Sequence, residues 1–119
     1  MQRIMLKAKI HRARVTDDNV EYEGSVTIDE TLMEAAGIIP YEQVHIYNVT
    51  NGNRFITYAI KGMRDSGTIC INGAAAHKAT KEDVIIIACY GSFDEAEHDH
   101  HHPKLVYVDE VNRIIQVKS

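Results

Sequence analysis

The sequence predicts a mainly β fold, and three patterns indicate it. Residues 5–16 alternate between apolar and polar side chains, as a strand with one buried face does. Asn51-Gly52 separates two more alternating runs, and an Asn-Gly pair in that position is typical of a β-hairpin. Residues 84–90 form a wholly apolar run with the length of a buried strand.

Composition narrows the class of protein. The 119 residues are expected to form one domain, residues 1–119. Thirteen Lys and Arg against 17 Asp and Glu, with no long basic run, argue against nucleic acid as a partner. The longest apolar run is about a third of a membrane-spanning helix, and no signal-peptide core precedes it, so we expect no membrane partner and a cytoplasmic protein. Cys70 and Cys89 lie singly in apolar stretches and are predicted to be free buried thiols.

The first strand carries cations on its polar face. Its apolar face is Leu6, Ala8 and Ile10, and its polar face is Lys7, Lys9 and His11. The polar face could serve a ligand, or it could simply be the solvated side of an edge strand. A turn at residues 17–19 then leads into a second extended segment, residues 20–28.

A short helix and the hairpin follow. Asp29 is a suitable N-cap for a helix over residues 30–36, and Gly37 is its expected stop. The hairpin strands are predicted at residues 44–50 and 53–60. Alternation places Arg54, Ile56 and Tyr58 on one face of the second strand and Phe55, Thr57 and Ala59 on the other. Arg54 and Tyr58 could act on one ligand, or be a surface cation and a half-buried aromatic.

Small residues follow the next predicted strand, residues 68–71. They form the segment Asn72-Gly73-Ala74-Ala75-Ala76-His77. If the amides of Gly73, Ala74 and Ala75 open a helical turn, they can donate hydrogen bonds to a carboxylate. The alternative is a tight turn that binds nothing.

Residues 92–104 differ in character, because they are acidic and rich in histidine. The histidines are His98, His100, His101 and His102. They are nearly contiguous in a polar stretch, so we predict a solvated loop and no metal site, and their role stays open. Residues 105–108 and 111–117 are predicted strands.

Gly24-Ser25 has the composition of a self-cleavage site. A serine hydroxyl can attack the preceding carbonyl and convert the amide to an ester if the backbone bends, and glycine permits that bend. Elimination of the ester then leaves dehydroalanine, which tautomerises and hydrolyses to a pyruvoyl group. Gly-Ser is also an ordinary turn dipeptide, so the pair alone decides nothing.

Several separated motifs together resemble the aspartate 1-decarboxylase family. They are Lys9-Ile10-His11-Arg12, Tyr22-Glu23-Gly24-Ser25, Asn48-Val49-Thr50-Asn51-Gly52, Arg54-Phe55, Thr57-Tyr58-Ala59-Ile60 and Asn72-Gly73-Ala74-Ala75-Ala76-His77. The resemblance implies a double-psi β-barrel with short helices, a homotetramer with sites between subunits, and a pyruvoyl cofactor in place of pyridoxal phosphate or a metal. It implies decarboxylation of L-aspartate to β-alanine and carbon dioxide, which feeds pantothenate and coenzyme A biosynthesis.

The resemblance also assigns roles to residues. Cleavage falls between Gly24 and Ser25, Ser25 becomes the pyruvoyl group that forms the Schiff base with the substrate amine, and Thr57 holds the Gly24 carbonyl during cleavage. Tyr58 matches the family's proton donor, and a phenol, which keeps its proton at neutral pH, suits that role. Substrate binding falls to Thr57, Gly73, Ala74, Ala75, Arg54 and Lys9, and the pocket is completed by His11, Tyr22, Tyr47 and Asn72.

Three hypotheses about function remain open from the sequence alone. The first is aspartate decarboxylation, the second is the same chemistry on another acidic amino acid, and the third is a non-enzymatic β-barrel that binds a partner. Tyr47 stands where the family often has tryptophan. Some family members need a maturation partner for cleavage, and the sequence leaves that choice open.

Overall fold

Strands dominate the part of the chain that the computed structural model describes, residues 1–19 and 24–119. The strands are β1 (Arg3–Arg14), β2 (Asp17–Asn19), β3 (Ser25–Asp29), β4 (Gln43–Asn48), β5 (Arg54–Gly62), β6 (Ile69–Asn72), β7 (Val84–Phe93), β8 (Lys104–Val108) and β9 (Ile114–Lys118). The helices are α1 (Glu30–Ala36), a 3-10 helix (Gly73–His77) and α2 (Glu95–His98). The predicted mainly β fold with short helices is confirmed.

The sheet has to curl into a barrel. Its strand order is β2-β6-β3-β5-β4-β7-β1-β8-β9, which puts β1 six places from β2. A flat sheet would separate those two strands by ~29 Å. The link from Arg14 to Asp17 reaches at most ~11 Å. The short connection is possible only because the sheet closes on itself, and Val15 and Thr16 in that link bond to the backbone of Asp83 and Ile69.

Parallel and antiparallel pairs are mixed in the barrel wall. β3 runs parallel to β5 and antiparallel to β6, so it lies between two strands of opposite sense. β1 runs antiparallel to β7 and parallel to β8. Parallel neighbours need crossover connections, which a double-psi β-barrel also has.

The core lies inside the barrel and consists mainly of branched aliphatic side chains and alanines. The largest fully buried side chains are Ile10, Ile28, Leu32, Ile46, Ile69, Ile71, Ile85, Ile87, Val15, Val26, Val44 and Val106. Since side chains alternate along a strand, the residues between these point to the other side of the sheet, which we name the outer face. Lys9, His11, Tyr47, Arg54 and Tyr58 lie on the outer face, whereas Thr57 shares a face of β5 with the buried Ala59.

The hairpin is confirmed, but its turn is longer than an Asn-Gly pair. β4 ends at Asn48 and β5 begins at Arg54. Asn48 causes the early stop, because its Oδ1 accepts hydrogen bonds from the backbone N–H groups of Thr50 and Asn51. Its Nδ2 donates to the Lys78 carbonyl and to Asp83. A side chain thus replaces the ladder bonds that the two extra residues would have made.

The alternation predicted for β1 breaks at Lys7. The pairing of β1 with β7 shifts register between Leu6 and Ala8, and this bulge separates Lys7 from the polar face of Lys9 and His11. The Lys7 ammonium pairs instead with Glu42 at 2.5 Å.

The acidic, histidine-rich segment is more ordered than a solvated loop. It contains α2, whose N-terminus has a reciprocal capping box between Asp94 and Glu97. The His101 Nε2 atom lies 2.6 Å from the Leu6 carbonyl oxygen, and its ring packs on Phe93. Among residues 1–19 and 24–119, no cluster of three potential metal ligands is present.

None of the described helices is long and apolar enough to cross a membrane.

The predicted helix is confirmed with both of its caps. Asp29 closes β3 and caps α1, and Gly37 ends the helix in the left-handed conformation at φ +73°. The buried Asp29 carboxylate also accepts hydrogen bonds from the backbone of Asp65 and Gly67. One carboxylate therefore ties the end of β3 to the loop that leads into β6.

Asp29→Ala should lower the free energy of unfolding by about 3 kcal/mol, because three N–H groups lose their acceptor. Urea unfolding of the variant in a Ser25→Ala background, which lacks the predicted cleavage serine, measures this. Asp29→Asn is the matched control, since it keeps one acceptor oxygen and should lose less. A loss below about 1 kcal/mol for Asp29→Ala would show that the carboxylate contributes little to holding the end of β3 to the loop before β6.

Candidate active site

Ser25 is the first residue of β3 and lies beside Asn72, the last residue of β6. Both belong to the outer face, because their neighbours Val26 and Ile71 point into the core. Both are nevertheless buried, at 1% and 5% exposure. The Asn72 Nδ2 atom donates a hydrogen bond to the Ser25 hydroxyl at 3.0 Å.

Thr27 and Cys70 complete a polar cluster with Ser25 and Asn72. Thr27 lies opposite Cys70 in the same strand pair, one alternation further along. The Asn72 Nδ2 atom also donates to the Thr27 hydroxyl at 3.0 Å, and the Cys70 thiol lies 3.2 Å from the Asn72 Oδ1 atom. These four side chains are called the Asn72 cluster below.

The predicted proton donor and cleavage residue lie on the other side of β3. Val26 pairs with Ala59 in the parallel register, and that register, extended by one residue, puts Ser25 next to Tyr58. Gly24 precedes β3, and a Cβ added there would meet nothing within 4 Å. The predicted cleavage serine and proton donor therefore lie on adjacent strands, while Thr57 is on the face of β5 that carries the buried Ala59.

The small-residue segment starts directly after Asn72, as a 3-10 helix. Gly73 begins it at φ +67°, a conformation that favours glycine. Gly73 is buried, Ala75 is half-buried and Ala74 is exposed. Since the first amides of a helix have no acceptor within the helix, this turn can present N–H donors near Ser25.

Arg54 and Tyr47 form a second group on the outer face. The Arg54 guanidinium lies over the Tyr47 ring at 4.6 Å from its centroid, and the Tyr47 and Tyr90 hydroxyls are 2.5 Å apart. The hydrogen bond between the Tyr90 and Tyr47 hydroxyls, together with burial, raises the pKa of Tyr90 to about 12. His45 packs edge-on against Tyr90 at 4.9 Å. An open cavity of about 440 Å³ borders this group and is lined by His45, Tyr47, Arg54, Phe55 and Ile56.

Lys9 and His11 form a third group on β1. The Lys9 ammonium lies 3.4 Å from the His11 Nδ1 atom, and the His11 ring packs edge-on against Tyr107. Burial, and then the charges of Lys9 and Arg12, lower the pKa of His11. A neutral imidazole can accept a hydrogen bond from Lys9 at Nδ1, so the pair remains a single cation at neutral pH.

The three groups are not strand neighbours of one another. Arg54 lies four residues before Tyr58 on the same strand, ~13 Å along β5. β1, with Lys9, is four places from β3 in the strand order. Within one chain the sheet puts neither cation directly beside Ser25. Tyr22, the remaining predicted pocket residue, falls outside the described residues.

Sequence reasoning missed the contribution of Thr27, Cys70, His45 and Tyr90 to these groups. A signal for Thr27 was present, because alternation puts it on the same face as Ser25. Cys70 could have been paired with Thr27 only from the strand register, and Tyr90 with Tyr47 only from the packing of β4 against β7.

Comparison with known proteins identifies the family. The family model described as "Aspartate decarboxylase" matches residues 1–115. A protein named "Aspartate 1-decarboxylase" from Syntrophobacter fumaroxidans is 62% identical over 95% of this chain and 91% of its own length. Relatives with the same name from Syntrophus aciditrophicus and Thermoanaerobacter pseudethanolicus are 58% and 54% identical, over 96% and 98% of this chain and 98% and 100% of theirs. The chain belongs to the aspartate decarboxylase family.

A solved structure was also found, the crystal structure of the computationally designed msDPBB_sym2 protein. It is 18% identical, with a TM-score of 0.43 over 73% of this chain and 96% of that one.

The pKa of His11 should lie below its ordinary value of 6.5, with stability falling as the pH drops, because the folded protein resists protonation at this position. An NMR titration of the imidazole signals measures it, and His11→Gln assigns the signal by removing it. Lys9→Met should move the midpoint upward, since one of the two nearby cations is gone. A midpoint above 6.5 in the unchanged protein would contradict the lowered pKa.

Proposed function

We propose that this chain is a pyruvoyl-dependent aspartate 1-decarboxylase that removes the α-carboxylate of L-aspartate and releases β-alanine for pantothenate and coenzyme A biosynthesis. Family membership over residues 1–115 supports the reaction. The observation that carries the site is the position of Ser25, which is buried against Asn72 on one strand and continues the register beside Tyr58 on the other.

The residues around Ser25 fit a self-made pyruvoyl group. Gly24 has free space around its backbone, so the peptide can bend toward the Ser25 hydroxyl. Thr57, on the strand next to β3, is the residue proposed to hold the Gly24 carbonyl, and Asn72 donates a hydrogen bond to the Ser25 hydroxyl. Free thiols at Cys70 and Cys89 accord with a reducing, cytoplasmic location, which is part of the proposal.

A pyruvoyl carbonyl supplies an electrophile for the substrate amine and an electron sink for the pair of electrons left when carbon dioxide departs. Tyr58 is the proposed proton donor, and its position on the same face as Ser25 on the adjacent strand supports that role. The amides of Gly73, Ala74 and Ala75 are suited to a substrate carboxylate, since they open a helical turn directly after Asn72.

Lys9 and Arg54 of one copy of the chain are proposed to bind the substrate held at Ser25 of a neighbouring copy. Arg54 presents paired N–H donors that match a carboxylate, and its stacking on Tyr47 limits its rotamers. In one chain neither Arg54 nor Lys9 is a strand neighbour of Ser25. A neighbouring subunit in a homotetramer can place the outer face that carries them over the Ser25 site of its partner. The exposed Ile56, at 57%, lies on the same face and suits burial there.

Ser25→Ala should abolish both chain cleavage and β-alanine production, because no side-chain nucleophile remains at residue 25. Intact mass under denaturing conditions measures cleavage, and product analysis with aspartate, glutamate and cysteate measures activity and substrate choice. The unchanged protein should give one fragment that ends at Gly24 and one that begins with a pyruvoyl group. Incubation of the purified chain alone shows whether a maturation partner is needed. Decarboxylation by Ser25→Ala would overturn the mechanism.

Tyr58→Phe should cleave normally but turn over at least about tenfold more slowly, because the phenolic proton is missing when the carbanion is quenched. Steady-state β-alanine production by fully cleaved protein measures this. Tyr107→Phe is the control, since Tyr107 lies on β8 and packs against His11 rather than next to β3. Unchanged turnover by Tyr58→Phe would assign the proton to another group.

A further inference from the structure

The Tyr47 ring supports the Arg54 guanidinium on the outer face. The two residues pair in the register of β4 and β5, and the guanidinium lies over the ring at 4.6 Å from its centroid. A guanidinium is attracted to the face of an aromatic ring by the electron density there. Arg54 is exposed and borders the open cavity of about 440 Å³, so the position of the Tyr47 ring determines where the Arg54 N–H donors meet a ligand.

The hydroxyl of Tyr47 is bonded to a side chain on the next strand. Tyr47 pairs with Ile86 of β7, and Tyr90 lies four residues further along that strand, ~13 Å away. The two tyrosine rings lean toward each other over this distance, and their hydroxyl oxygens are 2.5 Å apart. Ala88 lies between them on the same face, and its single methyl group leaves room for both rings.

The Tyr90 ring is itself held by packing. His45 lies opposite Ala88 in the register of β4 and β7. The imidazole packs edge-on against Tyr90 at 4.9 Å and against Tyr47 at 6.3 Å. The hydrogen bond with Tyr47, together with burial, raises the pKa of Tyr90 to about 12. Tyr90 therefore keeps its proton at neutral pH and adds no negative charge that would compete with a carboxylate for Arg54.

We propose that Tyr90 is a positioning residue for binding of a substrate carboxylate, because its hydroxyl holds the Tyr47 ring beneath Arg54. The inference rests on the function proposed above, in which Arg54 binds the substrate held at Ser25 of a neighbouring copy. In this role Tyr90 acts through Tyr47 and Arg54 and does not touch the substrate.

The expected effect follows from which carboxylate Arg54 holds. A guanidinium clamp suits the side-chain carboxylate of aspartate, which is retained, because a clamp on the α-carboxylate would stabilise the negative charge that decarboxylation removes. A retained group is bound equally in the substrate and in the transition state, so weaker binding of it raises KM and leaves kcat unchanged. Fixing the guanidinium beforehand improves this binding, since less side-chain freedom is lost when the carboxylate arrives.

The test is the KM for L-aspartate and the kcat of β-alanine production by fully cleaved Tyr90→Phe. KM should rise about fivefold, the effect of one lost hydrogen bond, while kcat stays within about twofold. Tyr107→Phe is the matched control, because it removes a hydroxyl from β8, outside this group of side chains, and should leave both constants unchanged. The rate of precursor cleavage, followed by intact mass, should be unchanged in Tyr90→Phe, whereas a general loss of structure would slow cleavage as well.

A binding measurement separates affinity from turnover. Succinate carries two carboxylates and no amine, so it can contact Arg54 without forming a Schiff base. Calorimetric titration of the cleaved proteins with succinate should give a Kd about fivefold higher for Tyr90→Phe than for the unchanged protein. Tyr107→Phe should bind succinate as the unchanged protein does.

A double variant tests whether Tyr90 acts through Tyr47. Tyr47→Phe removes the other end of the same hydrogen bond, so it should raise KM by the same factor. Tyr47→Phe/Tyr90→Phe should then raise KM no further, because the two hydroxyls share one bond.

The outcomes separate this inference from the proposed function. If the unchanged protein decarboxylates aspartate and Tyr90→Phe matches its KM and its succinate affinity, the inference about Tyr90 is wrong and the proposed function stands. The same holds if the effects of the two single variants add in the double variant. If the unchanged chain produces no β-alanine, the proposed function is wrong and this inference falls with it.

Discussion

The short link between β1 and β2 is the constraint on which the rest of the fold depends. Two residues, Val15 and Thr16, join strands that are six places apart in the sheet, and they can do so only in a closed barrel. Closure gives the sheet an inside, which the branched aliphatic side chains fill. It also gives every strand an outer face, on which Ser25, Asn72 and Tyr58 lie.

The position of β3 follows from the same closure. It lies between a parallel and an antiparallel neighbour, so residues from three distant parts of the chain meet at its first residue. Ser25 thereby has Asn72 on one side and, one residue before the pair that Val26 of β3 forms with Ala59 of β5, Tyr58 on the other. A hydroxyl in an ordinary turn would have neither neighbour.

The outer face carries positive charge at Lys9 and Arg54, although the chain as a whole is acidic. The chain carries a net charge of −4, yet Lys9 and Arg54 are each held by an uncharged neighbour, the imidazole of His11 and the ring of Tyr47. Lys7, by contrast, is neutralised by Glu42. Two cations without a carboxylate partner among these contacts can bind a dianionic substrate more strongly than ion-paired cations could, because no existing salt bridge has to be broken.

Local patterns in the sequence were sufficient for the mainly β class, the α1 helix with its Asp29 and Gly37 caps, and the existence of the hairpin. These features depend on neighbours within a few residues, so alternation and capping chemistry predict them. The family resemblance rested on motifs, and the comparisons confirmed it. The end of β4 depends on the local bonds of Asn48 to Thr50 and Asn51 and on its bond to the Lys78 carbonyl, 30 residues away. The bulge at Lys7 and the docking of His101 on β1 were decided by the tertiary structure, because the first is a shift between paired strands and the second needs a partner 95 residues away. The Asn72 cluster belongs with them, since only the register of β3 against β6 puts Cys70 and Thr27 on the amide that faces Ser25.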